Sequence, residues 1–267
     1  MVHRLRRFVA DHWVLAIGLI VLLYLFVPIA VVAAMSFRDA GHNAPYTLDN
    51  FKFTWDNWAH PFGVAGIQDA FLLSISIALV ATVGATILGT LMSFALARHT
   101  FRGRGATNTL IFLPMATPEI VMGSSLLALF VASGVPLGFW TVVIAHVMFC
   151  LSFVVVTVKA RLAGLDPRLQ EAAMDLYADE RQTFMRVTLP LVMPGIVAAA
   201  LLSFSLSFDD FIVTNFNSGT VVTFPMFVWG ASQRGIPAQI NVIGTAMFLI
   251  SFLIVLIGQL PRLRRKA

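Results

Sequence analysis

The sequence has little with which to live in water or to carry out covalent chemistry. Charged residues make up 12% of its 267 positions against 58% hydrophobic ones, and the mean hydropathy is +0.86. A chain so poor in charge cannot clothe a solvent-facing surface, so an integral membrane protein is expected. The single cysteine, Cys150, excludes an internal disulfide and says nothing of redox compartment. Six histidines, His3, His12, His42, His60, His99 and His146, are scattered without ligand spacing, and no metal site is expected. No G-x-x-x-x-G-K-S/T phosphate loop is present, so any ATP must be handled by another chain. Serine-nucleophile motifs of the G-x-S-x-G kind are absent as well, and no catalytic residue can be nominated. Repeats, low-complexity tracts and long polar linkers are also missing, which predicts one transmembrane domain over residues 1–267.

What the chain does have is apolar runs. A helix needs about 20 residues to cross a hydrocarbon core of roughly 30 Å. Such runs recur near 13–35, 69–97, 108–132, 137–158, 193–216 and 239–260, predicting an all-α protein with six transmembrane helices. A basic stretch precedes the first run, as in a signal peptide, but the run is too long for an h-region and reads as an uncleaved helix. Arg4, Arg6 and Arg7 precede the first span; Arg98, Arg102 and Arg104 follow the second. Lys159, Arg161, Arg168, Arg181 and Arg186 lie between the fourth and fifth, and Arg262, Arg264, Arg265 and Lys266 end the chain. Only Arg38, Lys52 and Arg234 fall in the alternate loops, so the positive-inside bias places both termini and the loop after Lys159 in the cytoplasm of a multi-pass protein. The net charge of +5 is therefore read as a topology signal rather than as a nucleic-acid footprint.

Three outward loops follow, 36–68, 133–136 and 217–238. In the first, Tyr46, Phe51, Phe53, Trp55 and Trp58 suit either an interfacial aromatic layer or contact with a partner from outside. Carboxylates within the spans are few: Glu119, just after Pro114 and Pro118, and Asp209 and Asp210, after Ser203, Ser205 and Ser207. An ionised group at a helix centre costs at least ~2.5–3.5 kcal/mol, so these acids either line a path for a polar solute or pair with helix N-termini and partner groups. The two prolines are expected to kink or break the third span. His146, the one histidine inside a span, fits a satisfied core residue better than a ligand or proton relay.

The polar stretch at about 159–192 is the odd element of the chain. Glu171, Asp175 and Asp179 stand at i, i+4 spacing, predicting an acidic stripe on a helix starting near Pro167, beside the small Ala172 and Ala173. The string Glu171-Ala172-Ala173, then Phe184, Val187, Leu189-Pro190 and Pro194-Gly195, resembles the EAA loop of ABC-transporter permeases. Over most of the chain, 112–122, Leu137-Gly138-Phe139-Trp140, 153–158 and Leu206-Ser207-Phe208-Asp209-Asp210 look like the spermidine/putrescine importer permeases, PotC-type subunit.

That resemblance implies a type I ABC importer permease fold in the bacterial inner membrane and a non-enzymatic subunit without a cofactor of its own. It implies as partners a second, PotB-type permease, two PotA-type ATPase subunits carrying ATP and Mg, and an extracytoplasmic PotD-type solute-binding protein. It implies transport by alternating access, with Glu171, Ala172, Ala173, Asp175, Tyr177, Glu180, Leu189 and Pro190 coupling to the ATPase. Tyr177 stands where the family usually has a glycine, so the turn there is either reshaped or replaced by continuing helix, and its ring is expected in the ATPase groove. A polyamine needs sparse carboxylates for its ammonium groups and aromatic or apolar walls for its methylene stems. Glu119, Asp209 and Asp210, with Phe208 and Phe211, supply them as candidate pathway residues. Two alternatives stand beside this reading: a permease for another small solute, and an ion-coupled secondary carrier, which would need coupling-ion residues and related halves that the sequence does not show.

Overall fold

In a computed structural model describing residues 2–39, 51–166 and 168–264, the chain is helical, with one isolated antiparallel bridge, Arg38 to Phe53, among the described residues. Among the described residues twelve α-helices follow one another: α1 (Val2–Met35), α2 (Asp56–Ala59), α3 (Ile67–Arg98), α4 (Arg104–Ala116), α5 (Glu119–Ala132) and α6 (Phe139–Ala163). After them come α7 (Arg168–Asp175), α8 (Glu180–Thr183), α9 (Leu189–Asp209), α10 (Ile212–Asn217), α11 (Phe224–Ser232) and α12 (Ala238–Arg264). A π-helical turn, Phe184–Thr188, joins α8 to α9 without a break.

Among the described residues four helical stretches are long and apolar enough to cross a membrane, or five if the bent α4–α5 pair counts as one. The expected third span, 108–132, is thus not a straight rod: α4 and α5 meet at 108°. Thr117 precedes Pro118 and is driven out of the helical region to φ −81°, ψ 133°, which ends α4 and lets α5 restart at Glu119. With 13 and 14 residues, α4 and α5 each reach only about 20 Å, short of a bilayer core. The fifth span, expected over 193–216, also ends early. It stops at Asp209, and a separate six-residue α10 follows. The sixth expected span falls in α12, whose side chains are described continuously from Ala238 to Ile254.

The chain divides into two compact units, one of residues 1–68 with 228–267 and one of residues 69–227. In the first, α1 runs beside α12, with Phe26 edge-on to Phe248 at 6.3 Å. Its 36–58 region is tied by Asn57, whose amide donates to the carbonyls of Ser36 and Arg38, and by the Trp58 indole donating to Ser36 Oγ. Phe37 stacks on Phe53 and Trp58 and meets Trp55 edge-on, so three of the expected aromatic residues form a cluster around it. Phe51 is exposed, and Tyr46 lies outside the described residues.

The second unit is built around α6. Its Ala145, Phe149, Cys150, Val154 and Val158 are buried against Met122, Leu126 and Phe130 of α5, Val192 and Ala199 of α9 and Val213 of α10. A helix that is apolar on all sides is expected at the centre of such a bundle. Close approach to α3 is made possible by Gly89, where a Cβ would lie 2.6 Å from Val154 Cγ1. Gly195 does the same for α9: its bare Cα lets the Arg161 stem cross, so that the guanidinium Nε donates to Leu191 O at 3.0 Å.

Candidate functional site

The corner between α9 and α10 gathers most of the in-span acids. Asp210 leaves the helix with φ −64°, ψ 125°, and its carboxylate turns onto the freed amides of the next helix. Oδ2 accepts from Thr214 N at 2.7 Å and from Thr214 Oγ1 at 2.8 Å, while Oδ1 accepts a long bond from Val213 N at 3.4 Å. An aspartate that competes for backbone N–H groups in this way stops one helix and starts another, which is why the run beyond Asp209 is not continuous.

Behind Asp210 lies His146 of α6, 1% exposed, with both ring nitrogens engaged. Nδ1 is 2.7 Å from Ser207 Oγ. Nε2 is 2.9 Å from Thr214 Oγ1 and 3.3 Å from Asp210 Oδ2. Because Thr214 Oγ1 donates to Asp210 Oδ2, it accepts from Nε2–H, and the Ser207 hydroxyl then donates to Nδ1. His146 is thus the satisfied core histidine expected from the sequence, and it links α6, α9 and α10. Of its partners the sequence had singled out Ser207 and Asp210 but not Thr214, and a histidine 61 residues from Ser207 had no local pattern to join it to them.

A cavity of ≈390 Å³ opens on this corner, lined by Glu119, Phe149, Leu206, Asp209, Asp210, Phe211 and Ile212. Glu119 reaches it from the first turn of α5, placed there by the Thr117–Pro118 break, and both Glu119 and Asp209 are exposed. Asp210 is 8% exposed and tied as described. Four of the five expected pathway residues thus share one cavity. Phe208 does not line it; its ring lies against Phe71, Phe204 and Phe224 at centroid distances of 5.9, 6.1 and 6.2 Å.

The second candidate surface is the 159–192 loop. Glu171, Ala172, Ala173 and Asp175 lie on α7, but Asp179 does not continue the expected acidic stripe. It caps α8 instead, its Oδ1 accepting from Gln182 N at 2.6 Å. Between the two helices Tyr177 adopts φ +62°, the only positive φ of a non-glycine residue among those described. Tyr177 N donates to Met174 O at 2.9 Å and Ala178 N to Ala173 O at 3.1 Å, the pair of bonds that closes a helix on a left-handed residue. The turn is kept, and tyrosine is held in the glycine-type conformation. Leu176 and Tyr177 project from it 82% and 98% exposed. Glu180 and Pro190 are exposed and Leu189 half-buried.

This loop is tied to α3 through the π-helical turn. Phe94 packs edge-on to Phe184 at 5.2 Å, and Arg98 stands 5.7 Å from the Phe94 ring while donating to Thr188 Oγ1 at 3.2 Å. Among the described residues no group of three histidine, cysteine or acidic side chains has metal-binding geometry.

Comparison with known proteins extends over nearly the whole chain. Residues 85–261 match the family described as "Binding-protein-dependent transport system inner membrane component". The chain is 38% identical over 242 residues to the spermidine/putrescine transport system permease protein PotC of Haemophilus influenzae, covering 90% of this chain and 93% of that one. It is 34% identical to the putrescine transport system permease protein PotI of Escherichia coli, covering 89% and 86% of the two chains. Among solved structures, it is similar to a chain of a bacterial ABC transporter involved in the import of the acidic polysaccharide alginate. That match has a TM-score of 0.64 and 13% identity, and covers 98% of this chain and 99% of the other. At that identity the likeness speaks for the fold alone.

Proposed function

This chain belongs to the binding-protein-dependent transport system inner membrane components, and we propose that it is the PotC-type permease of a polyamine importer, passing spermidine or putrescine through the α9–α10 corner. The cavity that unites Glu119, Asp209, Asp210 and Phe211 carries this reading. Three carboxylates within one small space match the charge of a linear di- or triammonium ion. Phe149, Leu206 and Phe211 give its methylene stems apolar walls, and a ring face attracts an ammonium by roughly 0.5–2 kcal/mol. An anionic cargo would be repelled by such a lining, and a neutral one would lose the charge pairing.

In this reading the chain crosses the membrane six times, with the α4–α5 pair as one bent span, α12 as the sixth, and both termini in the cytoplasm. Both compact units belong to one permease domain. The 159–192 loop faces an ATPase, with Glu171, Ala172, Ala173, Asp175 and Glu180 around the exposed Leu176–Tyr177 tip, and Leu189 and Pro190 opening the span behind it. A PotB-type permease forms the other half of the passage, two PotA-type subunits bind ATP and Mg, and a PotD-type receptor delivers cargo from outside. The chain itself performs no catalysis. ATP-driven motion of the ATPases reaches the loop, and packed helices pass it on as rigid units that switch between arrangements.

Asp209 is the decisive residue, because it is exposed to the cavity and takes no part in the Asp210 capping network. Asp209→Asn should lower polyamine uptake by about tenfold in a complex that still assembles, the scale of losing one charge-assisted contact. Uptake at the parent rate in that variant defeats the pathway assignment. A panel of other small cations and neutral solutes, tested as cargo in the same assay, decides between polyamines and another solute.

A further inference from the structure

We propose that His146 is a positioning residue that sets how many carboxylates the cavity offers to cargo, and so the preference between a trication and a dication. The inference rests on the pathway reading above. Asp210 is the only one of the three acids whose carboxylate is held by other side chains. Thr214 N and Thr214 Oγ1 donate to Oδ2, and His146 Nε2, whose proton is directed mainly at Thr214 Oγ1, lies 3.3 Å from the same oxygen, while Oδ1 receives the single long bond from Val213 N. One oxygen is thus consumed by the protein, and the other keeps most of its accepting capacity on a residue that lines the cavity.

The orientation depends on the imidazole. Thr214 and Val213 belong to α10 itself and move with Asp210 as one capped unit. At the Asp210 end His146 ties that unit to α6, and through Ser207 to the last turn of α9, while the far end is held separately, Asn217 O accepting from Thr141 Oγ1 of α6 and its amide donating to Gly123 O of α5. Remove the ring and the Asp210 end of α10 loses its polar hold on α6 and α9 while the Asn217 end keeps its own, so the capped corner pivots about that far end, taking Oδ1 out of the cavity while Glu119 and Asp209 remain. A cavity reduced from three carboxylates to two still serves a diammonium ion and is short by one for a triammonium ion. His146 touches no cargo in this scheme; it acts through Asp210.

The experiment uses the reconstituted four-component transporter in proteoliposomes, with spermidine and putrescine as competing cargo and ATP hydrolysis measured alongside. His146→Leu should lower the spermidine-to-putrescine uptake ratio by about tenfold, as expected for one lost contact to a buried charged group. Receptor-stimulated ATP turnover should hold, so that uptake per ATP falls. His146→Gln, whose amide can donate from nearly the Nε2 position, should recover most of the ratio. A merely structural role predicts uptake and ATP turnover falling together with the ratio unchanged, and that result overturns the proposal. Should His146→Leu not assemble, Ser207→Ala, which releases only the Nδ1 side, carries the same test, and an unaltered ratio refutes it. Asp209→Asn in the same experiment separates the two claims. If it impairs uptake while the His146 variants do not change the ratio, the pathway stands and the positioning role falls; if Asp209→Asn is silent, both fall.

Discussion

Replacing Tyr177 with glycine should strengthen the turn that carries it and weaken the function of the loop. A left-handed backbone costs an L-residue about 1–2 kcal/mol, and Tyr177 meets that cost at φ +62°. Being 98% exposed, its ring recovers nothing by packing within this chain. Glycine removes the steric cost and adds unfolded-state entropy worth about 0.4–1 kcal/mol in the other direction. The net gain is on the order of 0.5–1 kcal/mol, or roughly a two- to fivefold slower opening of the turn. The amides of Tyr177 and Ala178 report it directly, since they donate to Met174 and Ala173. Hydrogen exchange at positions 177 and 178 should slow by that factor in Tyr177→Gly and remain near the parent value in Tyr177→Ala, which keeps a Cβ and hence the strain. Receptor-stimulated ATPase activity should fall in both variants, because both lack the ring. Faster exchange in the glycine variant would refute the strain argument. Unchanged ATPase stimulation in both would show that tyrosine is only tolerated at this position.

Two further substitutions probe the framework behind the loop and the cavity. Arg98→Gln removes the guanidinium over Phe94 and weakens its bond to Thr188, contacts together worth about 1 kcal/mol at a partly solvated site; cargo uptake per ATP should drop while assembly persists, and a parent-like ratio would show that this tie carries no motion. Gly89→Val puts a side chain where a Cβ already lies 2.6 Å from Val154, and should cost about 1–3 kcal/mol of thermal stability in detergent, partly restored by Val154→Ala; an unshifted melting temperature would mean that α3 and α6 do not need this close approach.

The sequence was most informative where one property repeats along many residues. Apolar runs located the long helices, and basic loops provided an expected orientation, because each is a sum over many positions. It was least informative at corners. Thr117–Pro118 announced a break in the third span, yet nothing local stated that the angle would be 108°. Asp209 and Asp210 looked like equivalent acids, and only the folded chain separates an exposed carboxylate from one held by His146 and Thr214. Spacing placed Asp179 on a stripe with Glu171 and Asp175, whereas the left-handed Tyr177 interrupts the helix and turns Asp179 into a cap. Phe208 was grouped with Phe211 by nearness in sequence, and on an unbroken helix three steps of about 100° would leave the pair only about 60° apart; the chain leaves the helix at Asp210 instead, so one lines the cavity and the other does not.

That angular arithmetic has a consequence for the π-helical turn. Leu189 N–H reaches back five residues to Phe184 O, so this turn holds one residue more than an α-turn. One extra residue is a phase advance of about 100° on a helical wheel. A wheel drawn without that correction from Glu180 to Asp209 therefore assigns the loop end and the cavity end to the wrong relative faces. Deleting one residue within 184–188 would let the joint close as an ordinary α-turn with the faces on either side of it kept, whereas deleting one inside α9 would turn everything beyond it by about 100°. That joint is thus the place where the chain can hold one residue more or one less without altering the bearing from which the loop addresses the corner at Asp209.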